Sequence, residues 1–397
     1  MAKQRIGVLG GTFDPVHPGH VAIARAAAEA ARLNRVLLMP AGITGYKENT
    51  EPAALRYQML TAALRGDKTL VPCPLELERK EPVYTADTLP LLRAQYPEAK
   101  FFWITGGDAF LRMRRWNRAD ELLRAVSVLV CPRPGLADPA DLAAEVESVR
   151  ALGGKAKIIP ADIPPIASSR IRAALAEGQD PPELDLCVRE YIRVRGLYGQ
   201  TPALPEAPAW LDQLFAALRP HRFAHSLAVA DTARSMAERF GENARKAETA
   251  GLIHDCAKHL SLEDMRRLVR EENISGLDNA FLESTALLHS VAGAVLARRD
   301  YGVTDPEILS AIACHNTGYP GMSRLAMCVC LADSVEPTRE PYPSLEEIRA
   351  LADRSLEKAL LLSLERTAEY VSRRGLFLHP RTRDTIAWLK TLPETRE

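Results

Sequence analysis

From Ile6 to about Ala161, short β-branched or apolar runs alternate with helical patterns: Ile6 to Leu9, Val36 to Met39, Phe101 to Ile104, Val126 to Val130 and Lys157 to Ile159. Such alternation predicts parallel strands joined by right-handed helical crossovers, an open α/β sheet whose ligands bind beyond the carboxyl ends of the strands. The pattern stops abruptly. After Tyr198 the stretch Gly199 to Pro208 is polar, Pro-rich and without apolar period, as a linker is. From Trp210 to about Leu392 apolar residues recur only at helical spacing, as in Leu227, Ala230, Ala233, Ala237 and Phe240. The expected organisation is therefore an α/β domain over 1–198, a linker over 199–208 and an all-α domain over 209–392.

The 397 residues suffice for two cores of ordinary size. Lys plus Arg and Asp plus Glu both number 51, so no global field draws nucleic acid or an anionic membrane, and small phosphorylated ligands suit the chain better than polymers. The seven cysteines are scattered and lack zinc or disulfide spacing, which reads as free thiols in a reducing compartment. With no apolar signal region behind Met1 and no apolar stretch of spanning length, the expected location is the cytoplasm. A homo-oligomer is compatible with all of this.

The strongest local signal of the first domain follows its first strand: Gly10-Gly11-Thr12-Phe13-Asp14-Pro15-Val16-His17-Pro18-Gly19-His20, then an Ala-rich helix. The glycines admit close approach of a ligand, and His17 and His20 stand where helical N–H groups are unpaired. A phosphate there meets several donors. The spacing is neither the three-glycine dinucleotide fingerprint nor a P-loop. Alone, it could be a capped helix with two surface histidines.

The H-x-G-H pattern resembles the nucleotidyltransferase superfamily, whose chemistry implies attack of a substrate phosphate on the α-phosphate of ATP, with imidazolium donors stabilising the reacting group. Ile166-Ala167-Ser168-Ser169-Arg170-Ile171-Arg172 resembles that family's second phosphate motif. From about Ile6 to Tyr198 the chain is similar to nicotinate-nucleotide adenylyltransferase. By that resemblance Gly10, Gly11, Thr12, Phe13, His17, His20, Ser168, Ser169 and Arg172 bind ATP, with magnesium accompanying the nucleotide. His17, His20 and Arg172 would be catalytic. Nicotinate mononucleotide would meet Tyr84 and Thr85, Asp108 at a strand end, Trp116 as a stacking surface, Lys47 and Arg133. Thr44-Gly45-Tyr46-Lys47 stands where Pro-Pro-His-Lys is frequent, and Ala167 where a serine is. A rival acceptor, phosphopantetheine or nicotinamide mononucleotide, is disfavoured by the Tyr84-Thr85 and Trp116 segments.

In the helical domain the metal-capable residues are His225, the adjacent His254-Asp255, His289, His315 and Asp333, on separate predicted helices. Imidazole and carboxylate converging inside a bundle suit iron, manganese or a similar metal rather than a thiolate zinc site. Each histidine by itself would more often be a hydrogen-bonded core residue. The order His225, His254-Asp255, Asp333, with Lys258 in the HD-x-x-K position, reproduces that of the HD phosphohydrolase superfamily.

Within it, about Leu211 to Leu392 resembles bacterial HD proteins that split diadenosine tetraphosphate symmetrically into two ADP. The resemblance implies metal binding by His225, His254, Asp255 and Asp333, with Asp255 catalytic, and substrate contacts by Lys258, His289, His315, Asn316 and Arg339. Asn316 occupies a position where threonine is common. The chemistry implied is attack of a metal-activated water on the polyphosphate bridge. Two alternatives stand beside it: a nucleotide-sensing module without catalysis, and a phosphohydrolase or phosphodiesterase for another nucleotide.

Overall fold

The protein is described by a computed structural model covering residues 4–43, 50–77, 79, 81, 84–133, 135 and 137–395. It divides into two compact units, Met1–Thr201 and Pro202–Glu397. The division falls within the polar stretch 199–208, but the end of that stretch is not free: the Arg245 guanidinium donates to Ala203 O at 2.9 Å, and Leu204 is buried.

The first unit runs β1 (Arg5–Gly11), α1 (Pro18–Ala30), β2 (Arg35–Pro40), α2 (Ala53–Leu64), β3 (Leu70–Pro72), α3 (Thr85–Gln95), β4 (Lys100–Gly106), α4 (Gly107–Phe110), α5 (Ala119–Ala125), β5 (Ser127–Cys131), α6 (Pro139–Ala151), β6 (Lys155–Ile158), α7 (Ser168–Ala176) and α8 (Leu186–Arg195). All six strands are parallel, in the order β3-β2-β1-β4-β5-β6. The strand order reverses beside β1, so a crevice opens beyond the ends of β1 and β4, where open sheets of this kind take ligands. Five of the strands coincide with the apolar runs in the sequence; β3, three residues at the sheet edge, carries too short a run to announce itself. Sheet packing explains Gly7: a Cβ there would lie 2.7 Å from Leu33 Cδ1 and 2.8 Å from Ile104 Cδ1.

The second unit is helical: α9 (Ala207–Ala217), α10 (Pro220–Phe240), α11 (Ala244–Ile253), α12 (Leu262–Glu271), α13 (Asn279–Leu282), α14 (Thr285–Arg299), α15 (Pro306–Cys314), α16 (Arg324–Val335), α17 (Leu345–Ala352), α18 (Leu356–Arg373) and α19 (Pro380–Leu389). The long α10 is buried along most of its length and packs against α11 and α16, which brings the metal-capable residues of separate helices together. All seven cysteines are free and buried. Among the described residues no helix is long and apolar enough to cross a membrane.

Candidate active sites

At the end of β1 the chain turns through Phe13, whose φ of 50° is left-handed, and a cis Asp14–Pro15 bond into His17, the N-cap of α1. His20 Nδ1 accepts from the His17 backbone N–H at 3.2 Å, and the two rings lie against each other with centroids 3.8 Å apart and planes tilted by 35°. Burial, and then the Arg133 charge, depress His17 to a pKa of about 4. Burial, to 5% exposed, thus favours the neutral form of the His17 ring.

α7 closes on this turn from the far end of the domain. Ser168 Oγ donates to Pro15 O at 3.1 Å and the Arg172 guanidinium to Asp14 O at 2.6 Å. Thr12, Phe13, Asp14, His20, Ser168 and Arg172 line a common cavity of about 260 Å3. Ser169 is exposed beside Ser168 at the helix start, and Gly10 is exposed at the strand end.

Two side chains outside the motif readings hold this geometry. Arg56 is fully buried and its guanidinium donates to Thr12 O at 2.5 Å, Ala41 O at 2.6 Å, Gly42 O at 3.1 Å and Glu51 O at 2.8 Å, tying the turn after β1 to the loop after β2. Tyr198 OH donates to Asp14 Oδ1 at 2.7 Å, and Asp14 is itself buried, its Oδ2 without a hydrogen bond but 3.9 Å from the Arg172 guanidinium. Neither Arg56 nor Tyr198 carries a local signature, because each acts on residues far along the chain.

Of the residues expected to meet the acceptor, Thr85 opens α3 behind the half-exposed Tyr84. Asp108, at the end of β4, pairs with Arg133 at 3.3 Å and with Arg112 at 3.2 Å. Trp116 is half-buried against the sheet core. Lys47, with Thr44 to Asn49, and Pro82-Val83 lie outside the described residues.

In the second unit His225 comes from α10, His254 and Asp255 from the end of α11, His289 from α14, His315 from the end of α15 and Asp333 from α16. Among the described residues two triads of metal-capable atoms form, each with its donor atoms within 4.8 Å of one another: His225, His254 and Asp333, and His254, Asp255 and His315. His315, metal-capable by residue type but assigned to substrate by the family resemblance, thereby stands within the metal-capable cluster.

The hydrogen bonds behind the rings fix which nitrogen is offered. His254 Nδ1 donates to Gly251 O at 2.7 Å and His315 Nδ1 to Ile312 O at 2.8 Å, so the Nε2 of each points inward as a lone pair. His254 Nε2 is buried with no hydrogen-bond partner, and burial lowers the pKa of His254. A neutral imidazole anchored through its other nitrogen to a carbonyl is the form that ligates a metal. The donor set therefore fits a divalent cation.

His225 differs. Burial pushes its pKa down, but hydrogen bonds to Asp333 at 2.9 Å and Glu336 at 3.0 Å outweigh this and the net shift is upward. Burial alone would raise the Asp255 and Asp333 carboxyls; the histidine cluster at both, with Arg339 at Asp333, holds them well below the usual range. Lys258 is pushed down by burial, against the pull of Asp255.

His289 Nε2 lies 3.0 Å from His315 Nε2 and 3.3 Å from Asp255 Oδ1. Asn316, expected at substrate phosphates, donates to Ala286 O at 2.6 Å and accepts from Ser290 Oγ at 3.2 Å, which ties α14 to the end of α15. Arg339 holds Asp333, its Nη2 2.5 Å from Oδ1. Arg222 and Glu336 escaped sequence reasoning, although each lies three residues from a metal-capable side chain on the same helix or its end, one turn away.

An open parallel sheet carrying this turn defines a nucleotidyltransferase, and a helical unit with this His/Asp cluster defines an HD-type metal domain. Residues 8–174 match the cytidylyltransferase-like family and residues 222–338 the HD domain family. A probable nicotinate-nucleotide adenylyltransferase of Gloeobacter violaceus is 37% identical over 49% of this chain and 96% of its own length. The symmetrical bis(5'-nucleosyl)-tetraphosphatase of Bacillus subtilis is 37% identical over 43% of this chain and 91% of its own. A crystal structure of a predicted HD superfamily hydrolase involved in NAD metabolism, from Clostridium acetobutylicum, is 38% identical over 46% of this chain and 95% of that one, with a TM-score of 0.44. The chain belongs to the nicotinate-nucleotide adenylyltransferase family through its first unit and to the HD-domain hydrolase family through its second.

Proposed function

We propose that the first unit transfers the adenylyl group of ATP to nicotinate mononucleotide, releasing pyrophosphate and deamido-NAD, and that the second cleaves diadenosine tetraphosphate symmetrically into two ADP. The observation that carries the first half is the convergence of His20, Ser168 and Arg172, from the two ends of the domain, on one cavity. In this reading His17, His20 and Arg172 stabilise the transferred phosphate, Gly10, Gly11, Thr12 and Phe13 let the nucleotide approach, and Ser168 and Ser169 hold its outer phosphates, with magnesium as the counter-ion. Tyr84, Thr85, Asp108, Trp116, Arg133 and Lys47 would receive the acceptor. Offered ATP and magnesium with nicotinate mononucleotide, nicotinamide mononucleotide or phosphopantetheine, the full chain should prefer the first; equal rates on all three would remove the assignment.

The second half rests on the inward Nε2 of His254, without a hydrogen bond, between the carboxylates of Asp255 beside it and of Asp333 from α16. His225, His254, Asp255 and Asp333 would hold iron or manganese. The bound cation supplies charge for the phosphorus centre and acidity for the attacking water. In this reading Asp255 takes a proton, Lys258 and Arg339 neutralise the bridge and its leaving ADP, and the neutral rings of His289 and His315 contact the substrate. The full chain with manganese or iron should release only ADP from diadenosine tetraphosphate. Binding without release would support a sensor, and a different product another phosphohydrolase.

A further inference from the structure

Each of the two carboxylates at the centre of the helical site already carries a guanidinium. Arg222 Nη1 lies 2.9 Å from Asp255 Oδ2, and Arg339 Nη2 lies 2.5 Å from Asp333 Oδ1. The carboxylates are buried or nearly so, at 2% and 20% exposed, whereas the arginine side chains are 34% and 33% exposed and reach in from the surface. The oxygens they hold also face the bare nitrogen of His254, at 3.6 Å from Asp255 Oδ2 and 3.8 Å from Asp333 Oδ1.

A cation placed among these atoms and a guanidinium on the same oxygen repel each other across a poorly solvated gap. Arg222 stands one turn before His225 on α10, and Arg339 lies beyond the end of α16, where its Nε also donates to Asp333 O at 2.6 Å, a bond that would break when the guanidinium turns away. An arginine released at the mouth of the site offers a planar fork that matches phosphate oxygens.

We propose that Arg222 and Arg339 are exchangeable counter-cations: they hold Asp255 and Asp333 when no metal is bound, and yield them to the metal while turning to the polyphosphate. Metal and polyphosphate then bind with mutual reinforcement, since each favours the arrangement the other needs, and the reinforcement is reciprocal. The inference rests on the metal-dependent hydrolase reading and adds Arg222 to it as a residue that positions Asp255 and then contacts substrate.

The test is manganese affinity of the metal-stripped full chain, measured by the electron-paramagnetic signal of free Mn2+, for the wild type, R222Q, R339Q and K258Q, with melting curves confirming that each folds. Losing a half-exposed competing charge should tighten Mn2+ about five- to tenfold in R222Q and in R339Q. K258Q, which removes a charge near Asp255 that makes no ion pair with it, should tighten Mn2+ by less. In steady state R222Q should raise KM for diadenosine tetraphosphate more than it lowers kcat. Unchanged or weaker Mn2+ binding in R222Q and R339Q, or tightening in K258Q as large as theirs, overturns the exchange. Absence of Mn2+ binding in the wild type overturns the metal-site reading itself.

Discussion

At the turn after β1 the groups facing the ligand space are held mostly by backbone carbonyls: Arg172 on Asp14, Ser168 on Pro15 and Arg56 on four carbonyls in three segments. In the helical unit backbone carbonyls hold only the outer nitrogens of rings such as His254 and His315, and the inward-facing groups meet ionisable side chains from other segments, as with His225 between Asp333 and Glu336 or Asp255 between Arg222 and His289. The first arrangement fixes a chain path and leaves a cavity for phosphates. The second concentrates opposite charges in a poorly solvated interior, where they are stable only together and where a metal becomes one more member of the set.

The sharpest way to break this contrast is Asp255→Asn. Taking one charge from a buried ionic cluster at about 4 kcal/mol, hydrolysis of diadenosine tetraphosphate should fall about a thousandfold. Adenylyl transfer by the same preparation should stay at the wild-type rate, and a parallel fall would mean that the two sites are not separate machines. The complementary change, His20→Ala, should cost adenylyl transfer about 10²- to 10³-fold in kcat, the usual loss for one preorganised donor at a reacting phosphate or carbonyl. Hydrolysis should not change.

Glu336→Gln is a smaller cut. It leaves every proposed metal ligand in place but weakens the carboxylate behind His225 Nδ1, so Mn2+ affinity should drop about 10- to 100-fold in a titration. An unaffected affinity would mean that Glu336 only fills space.

The least effect concerns pH. Burial lowers His17 from the ordinary imidazole value of 6.5 to about 4, so between these values the unfolded chain takes up a proton that the folded chain refuses. The stability due to its neutral burial is present above about 6.5 and is lost as pH falls toward 4. Calorimetric melting of the first unit should therefore decline over that window, and His17→Asn should flatten the decline. An identical slope in the variant would show that other groups carry it.

Much of the first site was legible because it is local: Gly10 through His20 form one turn, and Ser168 to Arg172 open one helix. The contacts that join the two were not, since Arg56 and Tyr198 act on residues 44 and 184 positions away. In the second unit the order His225, His254-Asp255, Asp333 was readable from the family pattern. Arg222 and Glu336 lay one helical turn from it, where an ordinary surface charge would look the same.

The chain by itself determined its two kinds of architecture, through alternating short runs and then helical period, and the residue types able to handle phosphate and metal. Period and composition act on neighbours within a few residues and need no knowledge of the rest of the chain. Only the tertiary structure decided what those residues become. It favoured the neutral form of His17 by burying it, gathered His315 into the metal-capable cluster, tied α14 to the end of α15 through Asn316, and set an arginine on each central carboxylate. Those outcomes depend on desolvation and on distances between segments far apart in sequence, which exist only once the helices and strands have packed.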